Sequence, residues 1–202
     1  MTGLTRSRLE VRGLISRGYT IVELMMAIAV FAIGVSGIIA MQKVAAAANQ
    51  HSRSLSLATN IAQAWQDQLN ADSSLYTRTS NFQNTVWLQP LKGAQQAVWF
   101  RPAWNSNLAF GAAFDELGKP IDETTDNPAN AQFCVHVQLT RLYPTSPGID
   151  VVRTEVRVIW PRTEGSASTA FCTASANNAA TIGTNTNDYH FLYQVSSVRQ
   201  QP

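Results

Sequence analysis

A long uncharged run near the N-terminus constrains this chain more than any other feature of its sequence. Residues 24–42 contain no charged side chain, and Ser36 and Gln42 are their only polar members. Folded as a helix, the run would be about 28 Å long, close to the ~30 Å hydrocarbon thickness of a membrane. This is longer than the apolar core of an ordinary signal peptide. The run therefore predicts a membrane-spanning helix that is kept in the mature protein.

The leading segment carries the positive excess of the chain. Residues 1–18 hold four arginines against one glutamate, whereas the remaining residues hold 11 basic and 12 acidic side chains. Because basic segments stay on the cytoplasmic side of a membrane, we expect the chain after Lys43 to be exported. No basic patch remains beyond this leader, so the charge pattern argues against nucleic acid as a partner.

One acidic residue, Glu23, stands at the front edge of the uncharged run. A helix N-terminus favours an acid, but a carboxylate next to hydrocarbon usually has a partner. Glu23 belongs to the segment Gly18-Tyr19-Thr20-Ile21-Val22-Glu23-Leu24. The basic leader, the glycine, the aromatic residue and the glutamate four residues later together resemble the class III signal of type IV pilins and pseudopilins.

This resemblance implies a processing site and a set of partners. A prepilin peptidase would cut after Gly18 and methylate the new amine of Tyr19. Glu23 would then pair with the N-terminal amine of a neighbouring subunit inside an apolar filament core and set the register between subunits. The implied surroundings are inner-membrane lipid first, and then other minor pilins, the major pilin and, as a further candidate, a tip adhesin.

The residues after Glu23 point to one branch of the family. The segment 32–42, with Gly34, Gly37 and Gln42, resembles minor pilins of the PilV type. Each glycine costs a helix about 1 kcal/mol relative to alanine. We interpret Gly34 and Gly37 either as points of helix flexibility or as sites of close helix packing, and the sequence leaves both interpretations open.

Beyond Lys43 the pattern becomes amphipathic. Apolar residues recur at alternating steps of four and three, the spacing of one narrow helical face. The predicted face consists of Val44, Ala48, His51, Leu55, Ala58, Ala62, Trp65 and Leu69. The spacing predicts one continuous helix from near Tyr19 to near Leu69. We interpret His51 as a partly buried packing residue rather than a ligand.

The two cysteines, Cys134 and Cys172, have no CxxC spacing, and the histidines are scattered. In an exported domain the natural interpretation is a Cys134–Cys172 disulfide, with two buried thiols as the alternative. We expect no metal and no cofactor. A calcium site is conceivable in the acidic stretch 115–126, although a solvated loop is the better interpretation because the spacing fits no calcium-binding loop.

The sequence pattern of the part expected to be exported predicts an α+β architecture, with the distal half of the helix packed on an antiparallel sheet of about four strands. This is also the pilin fold that the resemblance implies. We expect a short helix near 81–89, a strand near 96–101, and a hairpin of 132–143 with 151–160 that has one buried face. Arg153, Glu155 and Arg157 should lie on its exposed face. A last strand should pack an aromatic row on the helix: Tyr189, Phe191, Tyr193 and Val195.

These expectations divide the chain into four segments: the class III leader 1–18, the membrane and filament-core half of the helix 19–43, its amphipathic half 44–70, and the exported domain 71–202. The first functional hypothesis is a non-catalytic minor pilin that starts pilus assembly or joins the tip complex, with roles in motility and adhesion. It would sit in the inner membrane and then in the pilus.

Three alternatives remain. A minor pseudopilin of a type II secretion system shares the N-terminal signal. An adhesin module fits the polar loops. An anchored exported enzyme finds little support, because the chain contains no GxSxG, HExxH or P-loop motif.

Overall fold

The computed structural model describes residues 18–79, 81–143, 150–162, 171–172, 179 and 182–202. The chain divides into two compact units, one ending at Asn49 and the other comprising Gln50–Pro202. A single helix, α1 (Ile21–Ser73), has residues in both. The predicted helix runs from near Tyr19 to near Leu69. The observed helix begins two residues later and ends four residues later.

Burial along α1 starts later than the sequence pattern predicts. The buried apolar residues are Ala58, Ile61, Ala62, Trp65 and Leu69. Val44 and Leu55, which the pattern places on the same face, are 71% and 41% exposed, and His51 is exposed as well. The segment between them is rich in alanine and serine, which offer little apolar area to bury. The expected partial burial of His51 is therefore wrong.

An antiparallel sheet follows the helix. Its strands are β1 (Gln96–Phe100), β2 (Ala113–Phe114), β3 (Phe133–Arg141), β4 (Val151–Pro161) and β5 (Tyr189–Arg199). The order across the sheet is β1-β3-β4-β5, with the two-residue β2 pairing with β3 as well. The α+β architecture and the β3–β4 hairpin are thus as predicted, with β2 as an additional short strand.

One face of the sheet packs against α1. The core there contains Trp65 and Leu69 of the helix together with a layer of valines from the central strands, among them Val137 and Val156. The buried Gln66 ties the two layers together, because it accepts a hydrogen bond from Thr154 Oγ1 at 3.0 Å and donates one to the carbonyl of Gln194 at 3.3 Å. Both ends of this buried amide therefore have a partner.

The opposite face of the sheet is partly covered as well. A second cluster contains Ile159, Phe171 and Tyr189 around the disulfide between Cys134 and Cys172. This is the pairing that the sequence analysis favoured. The expectation of a single buried face is wrong at this end of the hairpin, because the covalent link holds Phe171 and Cys172 against the sheet.

The aromatic row of β5 lies on the face away from the helix, which corrects the sequence-based expectation. The β4–β5 register places Leu192 beside Val158, and these two belong to the helix-side core. Phe191 instead packs beside Ile159 in the second cluster. Because successive strand residues point to opposite faces, the odd-numbered side chains of β5 all face outward.

The segment after α1 is organised by one buried carboxylate. Asp72 accepts hydrogen bonds from the backbone N–H groups of Val86, Trp87 and Leu88 at 2.7, 2.8 and 2.9 Å. The short helix expected near 81–89 is absent from this part of the described chain, where turns precede a 3-10 turn at Gln89–Leu91. The carboxylate replaces the intrahelical carbonyls as acceptor for these N–H groups.

Candidate functional site

The predicted processing segment directly precedes the long helix. Gly18, Tyr19 and Thr20 are exposed and non-helical, and α1 begins at the next residue. The Thr20 hydroxyl oxygen accepts a hydrogen bond from the backbone N–H of Glu23 at 3.3 Å. This is the N-cap half of a capping box, whose sequence signature is Thr-x-x-Glu. Sequence reasoning missed the role of Thr20, although that signature was present.

The side chain of Glu23 is exposed in the first turn of α1. Within the described residues its carboxylate has no hydrogen bond and no ion pair. A negative charge at a helix N-terminus is electrostatically favourable, and this alone explains an acidic residue at position 23. The helix N-terminus does not occupy the carboxylate oxygens, so they remain free to bind a positive group from another molecule.

The first half of α1 exposes apolar side chains on every side. Ile21, Phe31 and Met41 are 77%, 71% and 75% exposed. By length and composition, α1 can cross a membrane. A helix that is apolar all round is stable only inside an apolar environment, either lipid or the interior of an assembly.

Gly34 and Gly37 lie within this continuous part of α1. A Cβ at either position would meet nothing within 4 Å. The single chain therefore gives no steric reason for glycine at either position. Whether they serve close packing between subunits or helix flexibility remains a prediction.

Inside the unit Gln50–Pro202 the structure buries a cation that sequence reasoning had put on the surface. Arg157 is only 3% exposed. Its guanidinium carbon lies 4.4 Å from the ring centre of Trp99 and 6.0 Å from that of Phe191. Its Nη2 donates hydrogen bonds to His136 Nδ1 at 2.8 Å and to the Ala179 carbonyl at 2.6 Å. The alternation rule failed here because chain segments cover the outer face of the sheet.

Close backbone approach completes this enclosure. A Cβ at Gly183 would lie 2.1 Å from Nη1 of Arg157, so only glycine permits the observed contact. Among the described residues no carboxylate pairs with Arg157. The aromatic faces and the neutral acceptors stabilise the cation in place of an acid. The group is therefore a structural element of the sheet rather than a proton donor.

His136 must be neutral in the folded protein. Because an arginine can only donate, Nδ1 of His136 is the acceptor and its ring proton resides on Nε2. Burial above all, and then the charges of Arg157 and Arg101, lower the pKa of His136 to about 3. The unfolded chain has the ordinary histidine pKa near 6.5.

This difference predicts an acid-dependent loss of stability. Above about pH 6.5 neither state binds the proton, whereas between about pH 6.5 and 3 only the unfolded chain does, so stability falls by up to about 1.4 kcal/mol per pH unit. Replacing His136 with glutamine, which can still accept from Arg157, should flatten this slope. Urea unfolding of both proteins at pH 7, 5 and 4 measures it.

The remaining titrating groups serve as an internal control in that comparison. Burial and the charges of Arg162 and His51 lower the pKa of His190, and this residue is present in both proteins. The effects of His190 and of the carboxylates on the pH dependence of stability are the same in the native protein and in His136→Gln, so they cancel in the comparison. Equal pH slopes for the two proteins would contradict the burial of a neutral His136.

The other candidate ligand residues in the described part of the chain do not converge as the ligands of a metal ion would. The rings of His51 and His190 lie 4.9 Å apart, but in the described part of the chain no three His, Cys, Asp or Glu side chains converge on one point. In the acidic stretch, Asp115 accepts from the N–H groups of Leu117 and Lys119. Glu123 forms an ion pair with Arg101. These acids cap turns and bind a cationic side chain.

A cleft of about 370 Å³ lies elsewhere in the unit Gln50–Pro202, near the 3-10 turn. Trp87, Phe100 and Trp104 line it together with two prolines, and no lining residue is acidic, basic or a thiol. A cleft without a titratable group provides no acid, base or nucleophile for catalysis.

Comparison with known proteins identifies the N-terminal segment. Residues 15–39 match the family model of the prokaryotic N-terminal methylation motif. The motif is that of type IV pilin-like prepilin signals, and it supports the resemblance drawn from Gly18, Tyr19 and Glu23. No curated protein and no solved structure matches the chain.

Proposed function

We propose that this chain is a minor pilin of a type IV pilus, a structural subunit that helps to start pilus assembly or to form the tip complex. The match to the methylation motif over residues 15–39 supports a protein of the pilin or pseudopilin type. Such proteins act as structural, non-catalytic subunits. The finer role as a minor pilin of the PilV type rests on the glycine-containing segment after Glu23.

One observation carries the proposal. The long helix begins three residues after Gly18, at a capped N-terminus that presents Glu23, and the uncharged apolar run that follows is exposed at all but one of its positions. Cleavage after Gly18 would leave the whole apolar half in the mature protein, with a new amine at Tyr19. The helix would first reside in the inner membrane and then pack among the helices of other pilins, so both environments are apolar.

The roles of the individual residues follow from this arrangement. Prepilin peptidase would recognise the Gly18–Tyr19 junction in an exposed, non-helical segment, where a backbone is accessible to a protease. The free carboxylate of Glu23 would bind the methylated amine of a neighbouring subunit. The disulfide-linked unit that follows would be exported and would contact other minor pilins, the major pilin or a tip adhesin.

The mass of the mature protein tests the processing step. We expect the protein isolated from cell membranes to begin with N-methylated Tyr19, which tandem mass spectrometry of the N-terminal peptide reads directly. Gly18→Val should leave the full-length precursor, because a β-branched side chain hinders access to the bond. Gly13→Val, in the same leader, is the matched control and should be processed normally. An unmethylated or unprocessed native N-terminus would overturn the proposal.

A deletion strain distinguishes a role in a type IV pilus from a role in a type II secretion system, which N-terminal processing does not. A pseudopilin of a type II secretion system would share the cleaved and methylated N-terminus. Deletion of the gene should therefore abolish surface pili and twitching motility while leaving protein secretion intact. The reverse result would assign the chain to the secretion system.

A further inference from the structure

One side chain, that of Thr20, marks the boundary between the non-helical segment and α1. Residues 18–20 are exposed and non-helical, and the helix begins at Ile21. The carbonyl of Thr20 accepts a helical hydrogen bond from the N–H of Leu24 at 3.1 Å, and its hydroxyl oxygen accepts from the N–H of Glu23 at 3.3 Å. These two bonds define an N-cap, the residue at which a helix stops.

The hydroxyl of Thr20 holds this boundary without help from the side chain of Glu23. In a complete capping box, the acid three residues into the helix accepts a hydrogen bond from the N–H of the N-cap residue. The structure gives the Glu23 carboxylate no such bond among the described residues. The side-chain cap therefore consists of one oxygen atom, and a substitution that removes this atom removes the whole cap.

The Gly18–Tyr19 amide lies directly before the capped segment. Glycine is the nearest upstream residue that also serves as an N-cap. Without the Thr20 hydroxyl, the helix can therefore extend by two residues and begin at Tyr19, with Gly18 as its new cap. This extension places the Gly18–Tyr19 amide in the first turn of the helix. The Thr20 hydroxyl thus favours the form in which this amide lies outside the helix.

An amide in a helical turn is a poor substrate for hydrolysis by a protease. Enzymes that bind a peptide through its main chain take it in an extended form. When opening is fast, the rate of proteolysis follows the population of the open chain. Hydrolysis of the Gly18–Tyr19 bond takes up one water and leaves a carboxylate on Gly18 and an amine on Tyr19. The rate of this step should depend on the fraction of molecules in which the bond lies outside the helix.

We propose that Thr20 is a positioning residue for processing, because it ends the helix and keeps the Gly18–Tyr19 bond open to prepilin peptidase. This inference rests on the proposed function, since it takes the peptidase as the enzyme that cuts the chain. Thr20 acts through the conformation of the backbone and not through contact with the enzyme. The motif match over residues 15–39 assigns no such role to this side chain.

Two substitutions at position 20 separate the hydroxyl from the shape of the side chain. Thr20→Val keeps the β-branched shape and removes the hydroxyl, whereas Thr20→Ser keeps the hydroxyl and removes the methyl group. Purified prepilin peptidase cuts the full-length precursors in detergent, and initial rates give KM and kcat. We expect Thr20→Val to raise KM about fivefold with kcat unchanged, because a smaller fraction of the precursor is competent to bind. Thr20→Ser should retain the native KM.

The same exchange further along the helix provides a matched control. The Thr59 hydroxyl donates to the carbonyl of Leu55 at 2.9 Å and caps no helix end. Thr59→Val should therefore leave both KM and kcat unchanged. Initial rates are required because cleavage that is about fivefold slower is still completed during growth. The amount of pili at steady state therefore does not report the effect.

An unrelated protease tests whether the conformation of the chain causes the effect. Trypsin cuts the Arg17–Gly18 bond, and Arg17 itself determines its preference. Helix extension in Thr20→Val should slow this cut as well, measured by mass spectrometry of the fragment that begins at Gly18. Thr20→Ser should be cut at the native rate. Slower cleavage by the peptidase together with an unchanged trypsin rate would mean that the peptidase contacts Thr20 directly, which overturns the positioning role.

Other outcomes would also overturn the inference. Native kinetic constants in Thr20→Val, or equal losses in Thr20→Val and Thr20→Ser, would show that the hydroxyl has no role. A lower kcat at unchanged KM would place Thr20 in the chemical step instead. A native precursor that the peptidase leaves uncut would overturn the proposed function as well, whereas normal cutting of both the native precursor and Thr20→Val overturns this inference alone.

Discussion

Under the proposed function, replacing Glu23 with leucine should remove this protein from pili while leaving it in the membrane. The expected partner of the carboxylate is the N-terminal amine of an adjacent subunit in an apolar core. Leaving that amine uncompensated costs about 3–5 kcal/mol, which corresponds to a loss of incorporation of a hundredfold or more. Immunoblots of sheared pili against membrane fractions measure the ratio.

A second variant separates the carboxylate from the helix cap. The hydrogen bond from Glu23 to Thr20 uses the backbone N–H of the glutamate, so leucine preserves it. Thr20→Ala removes the cap but keeps the carboxylate, and we expect it to assemble nearly normally because a cap contributes about 1 kcal/mol. Normal incorporation of Glu23→Leu, or equal losses in both variants, would contradict the role of the acid in assembly.

Replacing Asp72 with alanine should be the most damaging single substitution that we predict in the unit Gln50–Pro202. Its carboxylate binds three backbone N–H groups in a site where Asp72 is 6% exposed. Alanine leaves those donors without an acceptor, and the free energy of unfolding should fall by about 4 kcal/mol. Urea denaturation of the full-length protein in detergent, followed by tryptophan fluorescence, measures the change.

Two further variants provide reference values for the loss of stability expected in Asp72→Ala. Asp72→Asn keeps one acceptor oxygen and should lose about half as much stability. Asp67→Ala removes an exposed acid from the same helix and should change stability by less than about 0.5 kcal/mol. A loss for Asp72→Ala no larger than that for Asp67→Ala would mean that the segment at Val86 does not depend on this carboxylate.

The predictable parts of the structure were those governed by nearby residues. The methylation motif that matches residues 15–39 was recognisable because Gly18 and Glu23 lie within seven consecutive positions, next to a basic leader and an apolar run. The β3–β4 hairpin followed from alternation around a proline-rich turn signal. With two cysteines in the chain, an oxidised pair could be formed only between Cys134 and Cys172.

Errors arose where distant segments cover a surface. Arg157 alternates with valines as an exposed strand residue does, yet Trp99 and Gly183 enclose it. Asp72 and Gln66 look like polar residues of a solvated helix face, yet each binds groups far along the chain. No local pattern distinguishes a polar residue that bonds a remote backbone group from one that faces water.

The sequence by itself determined the long helix, its apolar N-terminal half and the acid at its start, because helix formation and membrane affinity depend on neighbouring residues and their composition. Only the tertiary structure decided which face of β5 meets the helix and which cation is buried. Those outcomes depend on strand order and register, which are set by packing between segments that lie many residues apart.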